Sequence, residues 1–243
     1  MKTSSSDDNI YPAFCELASR DDSVFKTFKT SSMYTTILEH VSKEEGLQYF
    51  NHFKLNKSIL SCLDKFKQND ELGSPTIVKY DFGEFSPTTL RYIKVLSDLS
   101  QLKLDGMDIV EIGAGYAGQY TVLRQYAKPS SYTIVDLPDV IKLQREYIKR
   151  NKLDDIKVNF YSLEDLPNLT GDLVISNYAL SECVSEVQDV YIEKIINNCN
   201  RGYIIHNNFE GYNHTEFANI INHKVSEFKE LPQTAPNNVL LTW

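Results

Sequence analysis

The residues with the clearest chemical potential are three glycines and one aspartate. Gly113, Gly115 and Gly118 follow a short apolar stretch, and Asp136 lies at the end of the next apolar stretch along the chain. Glycine permits a tight turn and lets backbone N–H groups approach a ligand, while a carboxylate at the second strand accepts hydrogen bonds from both ribose hydroxyls. The spacing therefore predicts a nucleoside-binding site on a strand, a glycine-rich turn and a helix.

Glu111, which shortly precedes Gly113, distinguishes two classes of cofactor. A dinucleotide brings an anionic pyrophosphate to such a turn, whereas S-adenosylmethionine brings an ammonium and a sulfonium cation that a carboxylate attracts. The chain also lacks a tyrosine followed four residues later by lysine, the pair that a short-chain dehydrogenase uses. The sequence therefore predicts S-adenosylmethionine. A nicotinamide cofactor and glycines that only pack a helix against a strand stay open as alternatives.

Further candidates lie where the following strands end, because ligands bind at the C-terminal ends of parallel strands. Leu137 directly follows Asp136 and belongs to the predicted cofactor site. Ser162 and Leu163 follow the third strand, where a side-chain oxygen and a backbone N–H are predicted to contact the adenine edge. Asn177 follows the fourth strand and is predicted to face the methyl-donor region.

The elements that must position these residues are predicted from alternating short apolar runs and helical stretches after Asp105-Gly106. This alternation is typical of βαβ units and a parallel sheet. Two final apolar segments flank residues 232–238 and are predicted to form an antiparallel hairpin. The predicted strands are Asp108–Ile112, Tyr132–Val135, Lys157–Tyr161, Leu173–Ser176, Gly202–His206, Lys224–Leu231 and Val239–Trp243.

The first hundred residues are predicted to be helical, because apolar positions recur there at three- and four-residue spacing. Ser42 and Glu45 form a capping box ahead of one helix, and Asn56 caps a second. Ser86 and Pro87 open a third, with serine as N-cap and proline at the first helical position. These start signals predict a helical N-terminal region in front of the sheet.

Length and charge limit the class of protein. A chain of 243 residues suffices for one α/β domain of ordinary size plus an extra segment. Residues 1–105 are accordingly predicted to form a helical cap or a homodimer surface, and residues 106–243 a cofactor-binding catalytic domain. The formal net charge of -8 argues against a nucleic-acid partner, since binding to phosphates needs clustered Lys and Arg.

Location and metal content are also predicted from composition. No apolar stretch approaches the roughly 20 residues that cross a bilayer, and the N-terminus lacks the apolar run of a signal peptide, so we expect a cytoplasmic protein without a membrane span. The four cysteines show no C-x-x-C spacing and no local Cys/His pairing. Neither a zinc site nor a disulfide framework is indicated, and no metal site is predicted.

Five segments of the chain together resemble a known family. They are SPTTLRYIKVLSDL (Ser86–Leu99), VEIGAGYAGQ (Val110–Gln119), TIVDLPDVIKLQ (Thr133–Gln144), LVISNYALSE (Leu173–Glu182) and GYIIHNN (Gly202–Asn208). The family is the sugar O-methyltransferases of polysaccharide gene clusters, and the resemblance covers roughly residues 73–243. It implies a Rossmann-like class I methyltransferase sheet, S-adenosylmethionine as donor and a sugar hydroxyl as acceptor.

A sugar hydroxyl is a poor nucleophile until it loses its proton, so a base is expected beside the methyl group. His206 ends the fifth strand and is the first candidate, and Glu182 after the fourth strand is the second, either as base or as the group that orients His206. A structural histidine and a carboxylate that interacts with a helix dipole are the alternatives. The predicted substrate-binding residues are Tyr178, Asn207, Asn208 and Arg91.

The resulting prediction is an S-adenosylmethionine-dependent methyltransferase with a small-molecule or glycan substrate. One alternative is an N- or O-methyltransferase for another small molecule. A second is a cofactor-binding assembly module without activity, which the complete set of glycines and carboxyls disfavours. A nucleic-acid methyltransferase is the least favoured, because Ser176-Asn177-Tyr178 lacks both prolines of the N-P-P-Y motif.

Overall fold

The computed structural model describes residues 3–243, and within them the chain forms two sheets. One is a short hairpin of β1 and β2, and the other contains the remaining seven strands. The strands are β1 (Val78–Tyr80), β2 (Gly83–Phe85), β3 (Asp108–Ile112), β4 (Ser131–Val135), β5 (Lys157–Tyr161), β6 (Leu173–Asn177), β7 (Gly202–His206), β8 (Ser226–Lys229) and β9 (Val239–Thr242).

The large sheet has the order β5-β4-β3-β6-β7-β9-β8. The five strands β3, β4, β5, β6 and β7 pair with their neighbours in parallel, whereas β9 is antiparallel to both β7 and β8. The predicted α/β class, a mostly parallel sheet that ends in an antiparallel hairpin, is therefore confirmed. The strand order reverses between β3 and β6, so a crevice is expected beyond the C-terminal ends of these two strands.

Helices cover both faces of the sheet. The helices are α1 (Ile10–Arg20), α2 (Asp22–Phe25), α3 (Ser32–Ile37), α4 (Lys43–Phe53), α5 (Lys57–Leu60), α6 (Leu63–Phe66), α7 (Pro87–Leu99), α8 (Gly118–Arg124), α9 (Pro138–Arg150), α10 (Ser185–Lys194) and α11 (His214–Ile220). Helix α1 packs against α9, and α4 packs against α7, so the N-terminal helices lie on the same face as α7, α8 and α9.

The predicted helix starts differ in how they are stabilised. The capping box of Ser42 and Glu45 is present at α4, and the Asn56 side chain accepts a hydrogen bond from the Ile59 N–H at α5. The helix after Asn56 breaks at Cys62 into two short helices, α5 and α6. Ser86 occupies the N-cap position of α7 without a side-chain capping bond.

Two hydrophobic cores lie on opposite faces of the sheet because successive side chains of a strand point to opposite sides. In β7, Tyr203 and Ile205 belong to the core under the N-terminal helices. Ile204 belongs to the core under α10 and α11. This alternation decides which residues of a strand end can reach the crevice.

Candidate functional site

A cavity of about 500 Å³ lies at the predicted crevice. Its inner wall comes from the turns that follow β3, β4 and β6. Its outer wall comes from four segments that are distant in sequence: residues 3–6, the end of α3 with the start of α4, the loop after β7, and the loop between β8 and β9. Loops from both halves of the chain thus enclose one site. We call the part formed by the turns after β3 and β4, with Asn177, the cofactor side. We call the part formed by the four outer segments, with Tyr178 and Glu182, the acceptor side.

The glycine-rich turn after β3 forms the floor of the cofactor side. Gly113 and Gly115 line the cavity with φ of 73° and 56°, values that L side chains rarely adopt. A Cβ atom on Gly113 would lie 2.0 Å from the Cβ of Ala179, so the turn can approach the loop after β6 only with glycine at this position. Gly118 instead packs against Tyr92, where an added Cβ would lie 2.3 Å from the ring, and it does not line the cavity.

Asp136 holds the glycine-rich turn in place from the end of β4. Its Oδ2 atom accepts hydrogen bonds from the Ala114 N–H at 3.0 Å and from Nε2 of Gln144 at 2.7 Å, and Oδ1 accepts one from the Leu137 N–H. Burial raises the pKa of Asp136 to about 6, although these hydrogen bonds oppose the rise. Both Asp136 and Leu137 line the cavity.

Glu111 lines the cavity from β3, with only 2% of the residue exposed. Its Oε2 atom accepts a hydrogen bond from the Tyr132 hydroxyl at 2.7 Å. Burial raises the pKa of Glu111 to about 7, and the nearby charge of Asp136 raises it further, while the Tyr132 hydrogen bond lowers it. A cationic ligand in the cavity would therefore stabilise the ionised form of Glu111.

Asn177 ends β6 and supplies a free acceptor to the same cavity. Its Oδ1 atom is buried and has no hydrogen-bond partner among the described residues. Buried amide oxygens are normally satisfied, so this atom fits a ligand that donates a hydrogen bond. Ser162 and Leu163 do not line the cavity, because the Ser162 hydroxyl and N–H both turn to the Asp165 carboxylate at 2.8 and 2.6 Å.

Glu182 lies on the acceptor side and holds residues 3–6 against the cavity. The Ser5 hydroxyl donates to Oε2 of Glu182 at 2.9 Å, and Nδ2 of Asn207 donates to Oε1 at 3.1 Å. Backbone hydrogen bonds from Ser5 to Glu182 and from Val184 to Thr3 continue this contact. Glu182 and Asn207 both line the cavity.

Tyr178, which follows β6 with a φ of 72°, lines the cavity next to Asn177. Its hydroxyl donates to the buried carboxylate of Glu230 in the loop between β8 and β9. The Thr234 hydroxyl and the Asn238 amide also donate to Glu230, at 2.7 and 3.0 Å. The C-terminal loop is thereby fixed over the acceptor side.

His206 and Asn208 do not line the cavity. His206 is fully buried on the opposite face of β7, where its ring lies 5.9 Å from that of Phe217. Nδ1 accepts a hydrogen bond from the Asn208 N–H at 3.1 Å, and burial lowers the pKa of His206 to about 4. The Asn208 side chain donates to the Asn237 carbonyl at 2.7 Å. Both predicted site residues thus stabilise the C-terminal loops.

His40 lines the cavity but was not predicted as a site residue. It lies between α3 and α4, exposed at the outer rim. Partial burial and the charge of Arg91 lower its pKa below the ordinary value, while Glu45, Glu39 and Glu182 oppose the change. No motif surrounds His40 in the sequence, so only the tertiary structure brings it to the site.

The described part of the chain offers no metal site and no spanning helix. Within residues 3–243, no three His, Cys, Asp or Glu side chains gather in a way that could hold a metal ion. No helix in this range combines the length and apolar character needed to cross a membrane.

Comparisons with known proteins give a likeness of fold. No family model matches the sequence, and no curated protein matches it. An rRNA methylase from Streptococcus thermophilus is similar, with a TM-score of 0.48 and 15% identity over 63% of this chain and 95% of that one. An S-adenosylmethionine-dependent methyltransferase from Aquifex aeolicus has a TM-score of 0.46 and 14% identity over 62% and 87%.

A TehB-like S-adenosylmethionine-dependent methyltransferase from Corynebacterium glutamicum also has a TM-score of 0.46, with 12% identity over 59% of this chain and 83% of that one. At such identities and TM-scores the likeness carries no argument about function. By its own strand order, the seven-stranded, mostly parallel sheet with its C-terminal antiparallel pair is a Rossmann-like α/β sheet.

Proposed function

We propose that this chain is an S-adenosylmethionine-dependent methyltransferase that acts in the cytoplasm on a hydroxyl of a small molecule, with a sugar of glycan biosynthesis as the acceptor class. The observation that carries the proposal is the convergence of Glu111, Asp136 and the glycine-rich turn on one cavity. The acceptor class rests on the resemblance of five sequence segments to sugar O-methyltransferases.

The cofactor side offers a separate group for each part of the cofactor. Asp136 would accept hydrogen bonds from the ribose hydroxyls, and the N–H groups of the glycine-rich turn would face the amino-acid portion of the cofactor. Glu111 and the free Oδ1 of Asn177 would accept hydrogen bonds from the ammonium group. Ser162 and Leu163, at the tip of β5, lie outside the cavity, and the Ser162 hydroxyl and N–H both donate to Asp165, so we leave them out of the proposed cofactor contacts.

When bound, the cofactor supplies a methyl group that is already activated on a sulfonium. The chain then has to align the acceptor and remove its hydroxyl proton. We propose that a ring nitrogen of His40, Nδ1 or Nε2, accepts this proton. His40 lines the cavity, and its lowered pKa keeps the imidazole neutral at pH 7. The Glu182 carboxylate, whose charge raises the pKa of His40, would stabilise the imidazolium that forms.

The remaining segments would bind and cover the acceptor. Asn207 and Tyr178 line the acceptor side and are the proposed substrate-binding residues there. We further propose that residues 1–105 act as the cap of this side and residues 106–243 as the cofactor-binding domain. A homodimer surface on the helical region is a separate proposal that the cavity does not require.

The test is calorimetry followed by a transfer assay. Purified protein should bind S-adenosylhomocysteine with one site per chain, and Asp136→Asn should weaken that binding. Radiolabelled methyl groups should then pass to a component of a nucleotide-sugar or glycan pool. Binding without transfer to any pool would favour the assembly module, and absence of binding would overturn both functions.

A further inference from the structure

Arg91 presents a buried cation to the acceptor side without an acidic partner. It lies on α7, lines the cavity and is only 8% exposed. Its Nη2 atom donates to the Leu38 carbonyl at 3.3 Å, and no carboxylate within residues 3–243 lies within ion-pair distance of it. A guanidinium carries five N–H donors, and a buried charge is costly unless it is paired.

The two other arginines that are not exposed, Arg124 and Arg150, both form ion pairs. The side chain of Arg124 is 6% exposed, comparable to Arg91, and its guanidinium bonds Asp155 at 2.8 Å and the Ala127 carbonyl at 2.7 Å. Arg150, which is more exposed, pairs with both Asp22 and Glu146 at 2.6 Å. Arg91 differs from them in facing a cavity instead of a carboxylate.

The residues that line the cavity with Arg91 include three phenols, Tyr49, Tyr92 and Tyr178, and the Arg91 Cζ atom lies 5.6 Å from the centre of the Tyr92 ring. Burial raises the pKa values of the Tyr49 and Tyr178 phenols, and the Arg91 charge opposes both shifts. Burial also raises the pKa of Tyr92, and a hydrogen bond from Arg91 lowers it. The charge of the Glu39 carboxylate raises the pKa of Arg91, although Glu39 lies beyond ion-pair distance.

Leu38 separates Arg91 from the glycine-rich turn. A Cβ atom on Gly115 would lie 3.2 Å from the Leu38 side chain, while the Leu38 carbonyl accepts the Arg91 hydrogen bond. Tyr49 comes from α4 and Tyr178 from the loop after β6, both of which wall the acceptor side. Through its bond to the Leu38 carbonyl, the guanidinium is held against the α3–α4 connection, which belongs to the wall of the acceptor side.

We propose that Arg91, with the phenol of Tyr49, forms a subsite for an anionic group of the acceptor, a carboxylate or a phosphate. The methylated molecule would then be an acidic or phosphorylated one, such as a uronic acid or a sugar phosphate. This inference rests on the proposed function. A carboxylate could also be supplied by the amino-acid portion of the cofactor, and the experiment separates the two sources.

The experiment titrates inorganic phosphate and acetate, at constant ionic strength, into protein saturated with S-adenosylhomocysteine. The wild-type chain should bind at least one anion saturably, and Arg91→Gln should weaken that binding about tenfold or more, since charged hydrogen bonds are lost. Arg91→Lys should retain part of the affinity. Arg201→Gln, a change at an exposed arginine away from the cavity, should leave the anion affinity unchanged.

Two further titrations identify the source of the anion. S-adenosylhomocysteine and methylthioadenosine, which lacks the amino-acid portion, are each titrated into wild type and Arg91→Gln. The inference predicts equal affinities in both chains for both nucleosides. Weaker binding of S-adenosylhomocysteine alone would assign Arg91 to the cofactor carboxylate and overturn the acceptor subsite.

Control measurements on the same proteins check folding, by melting temperature, and the proposed function, by binding of S-adenosylhomocysteine. Arg91→Gln should melt at the same temperature as wild type or higher, because an unpaired buried charge is removed. Anion binding that persists in Arg91→Gln, or that wild type lacks for both phosphate and acetate, would overturn the subsite. Failure of wild type to bind S-adenosylhomocysteine would instead contradict the proposed function, so the two failures are distinguishable.

Discussion

The two sides of the cavity are built in different ways. The cofactor side is formed mainly by the turns after β3 and β4, so Gly113, Gly115 and Asp136 lie close together in the sequence. The acceptor side draws on residues 3–6, on the α3–α4 connection, and on loops near the C-terminus. A local motif encodes the first, whereas only tertiary packing assembles the second.

The two sides also differ in charge. The cofactor side holds the carboxyls of Glu111 and Asp136, whose pKa values burial raises. The acceptor side holds the unpaired guanidinium of Arg91 and His40, along with Glu182, whose carboxylate already accepts hydrogen bonds from Ser5 and Asn207. The cations of the cofactor would thus meet carboxyls and an anionic acceptor would meet Arg91, and the following experiments test this division.

Replacement of the base should give the largest effect. We expect His40→Gln to lower kcat by about 100-fold or more, as loss of a general base does, with unchanged affinity for S-adenosylhomocysteine. The active form is the neutral imidazole, so wild-type activity should rise with pH through a midpoint below 6.5 and then level off. Initial rates at saturating substrate between pH 5 and 8 measure both quantities.

His206→Gln is the matched control for the base. His206 is buried away from the cavity, so its replacement should reduce the free energy of unfolding while leaving kcat of the folded fraction unchanged. Loss of turnover in His206→Gln, with a fully active His40→Gln, would return the role of base to His206.

Asp136→Asn should have the next largest effect, confined to the cofactor side. Loss of charged hydrogen bonds to ribose, worth about 1.5–3 kcal/mol, corresponds to roughly a 10- to 100-fold weaker affinity for S-adenosylhomocysteine. Asp105→Asn is the control, because Asp105 also accepts a backbone hydrogen bond, from the Lys128 N–H at 2.7 Å, but lies outside the cavity wall. Equal losses in both variants would contradict a ribose contact.

Glu111 should make cofactor binding pH-dependent. Its pKa of about 7 in the free protein lies above the ordinary 4.5, so the free folded chain loses stability as the pH rises toward 7. A bound cation lowers that pKa, so binding of S-adenosylmethionine should release a proton near pH 7 and tighten up to about tenfold from pH 6 to 8. Calorimetry in buffers of different ionisation enthalpy measures the released proton, which Glu111→Gln should abolish.

The smallest effect should come from the helix caps. Ser42→Ala removes the capping box of α4, which carries Tyr49, and should cost about 1 kcal/mol of stability and raise KM for the acceptor a few-fold. Asn213→Ala removes the equivalent box of α11, which does not line the cavity. It should cost a similar free energy without changing KM, as thermal melts and steady-state kinetics will show.

The fold and the cofactor side were predictable because their signals are local. Alternating apolar runs gave the strands of the sheet, and the glycine spacing predicted the turn whose residues Gly113 and Gly115 line the cavity. Gly118 belongs to the same motif, yet it packs against Tyr92 because it already lies within α8. A motif thus marks the turn but does not separate ligand contacts from packing.

The acceptor side was less predictable because its residues come from segments that are far apart in the sequence. His206 was expected at the same rim as Asn177, but Asn177 pairs with Ile205 in the sheet, and the next side chain points to the opposite face. His40 and Tyr49 reach the cavity only because α4 packs on α7. Such contacts leave no periodic signal in the sequence.

The contact of residues 3–6 with Glu182 has a kinetic consequence. This part of the wall is held by the backbone bonds of Ser5 and Val184 and by one side-chain bond, so it can detach without breaking a strand of the sheet. Ligand exchange would then follow the opening rate of this segment, and Glu182 would set both that rate and the chemical step. A burst of product in the first turnover is the signature of release through such an opening.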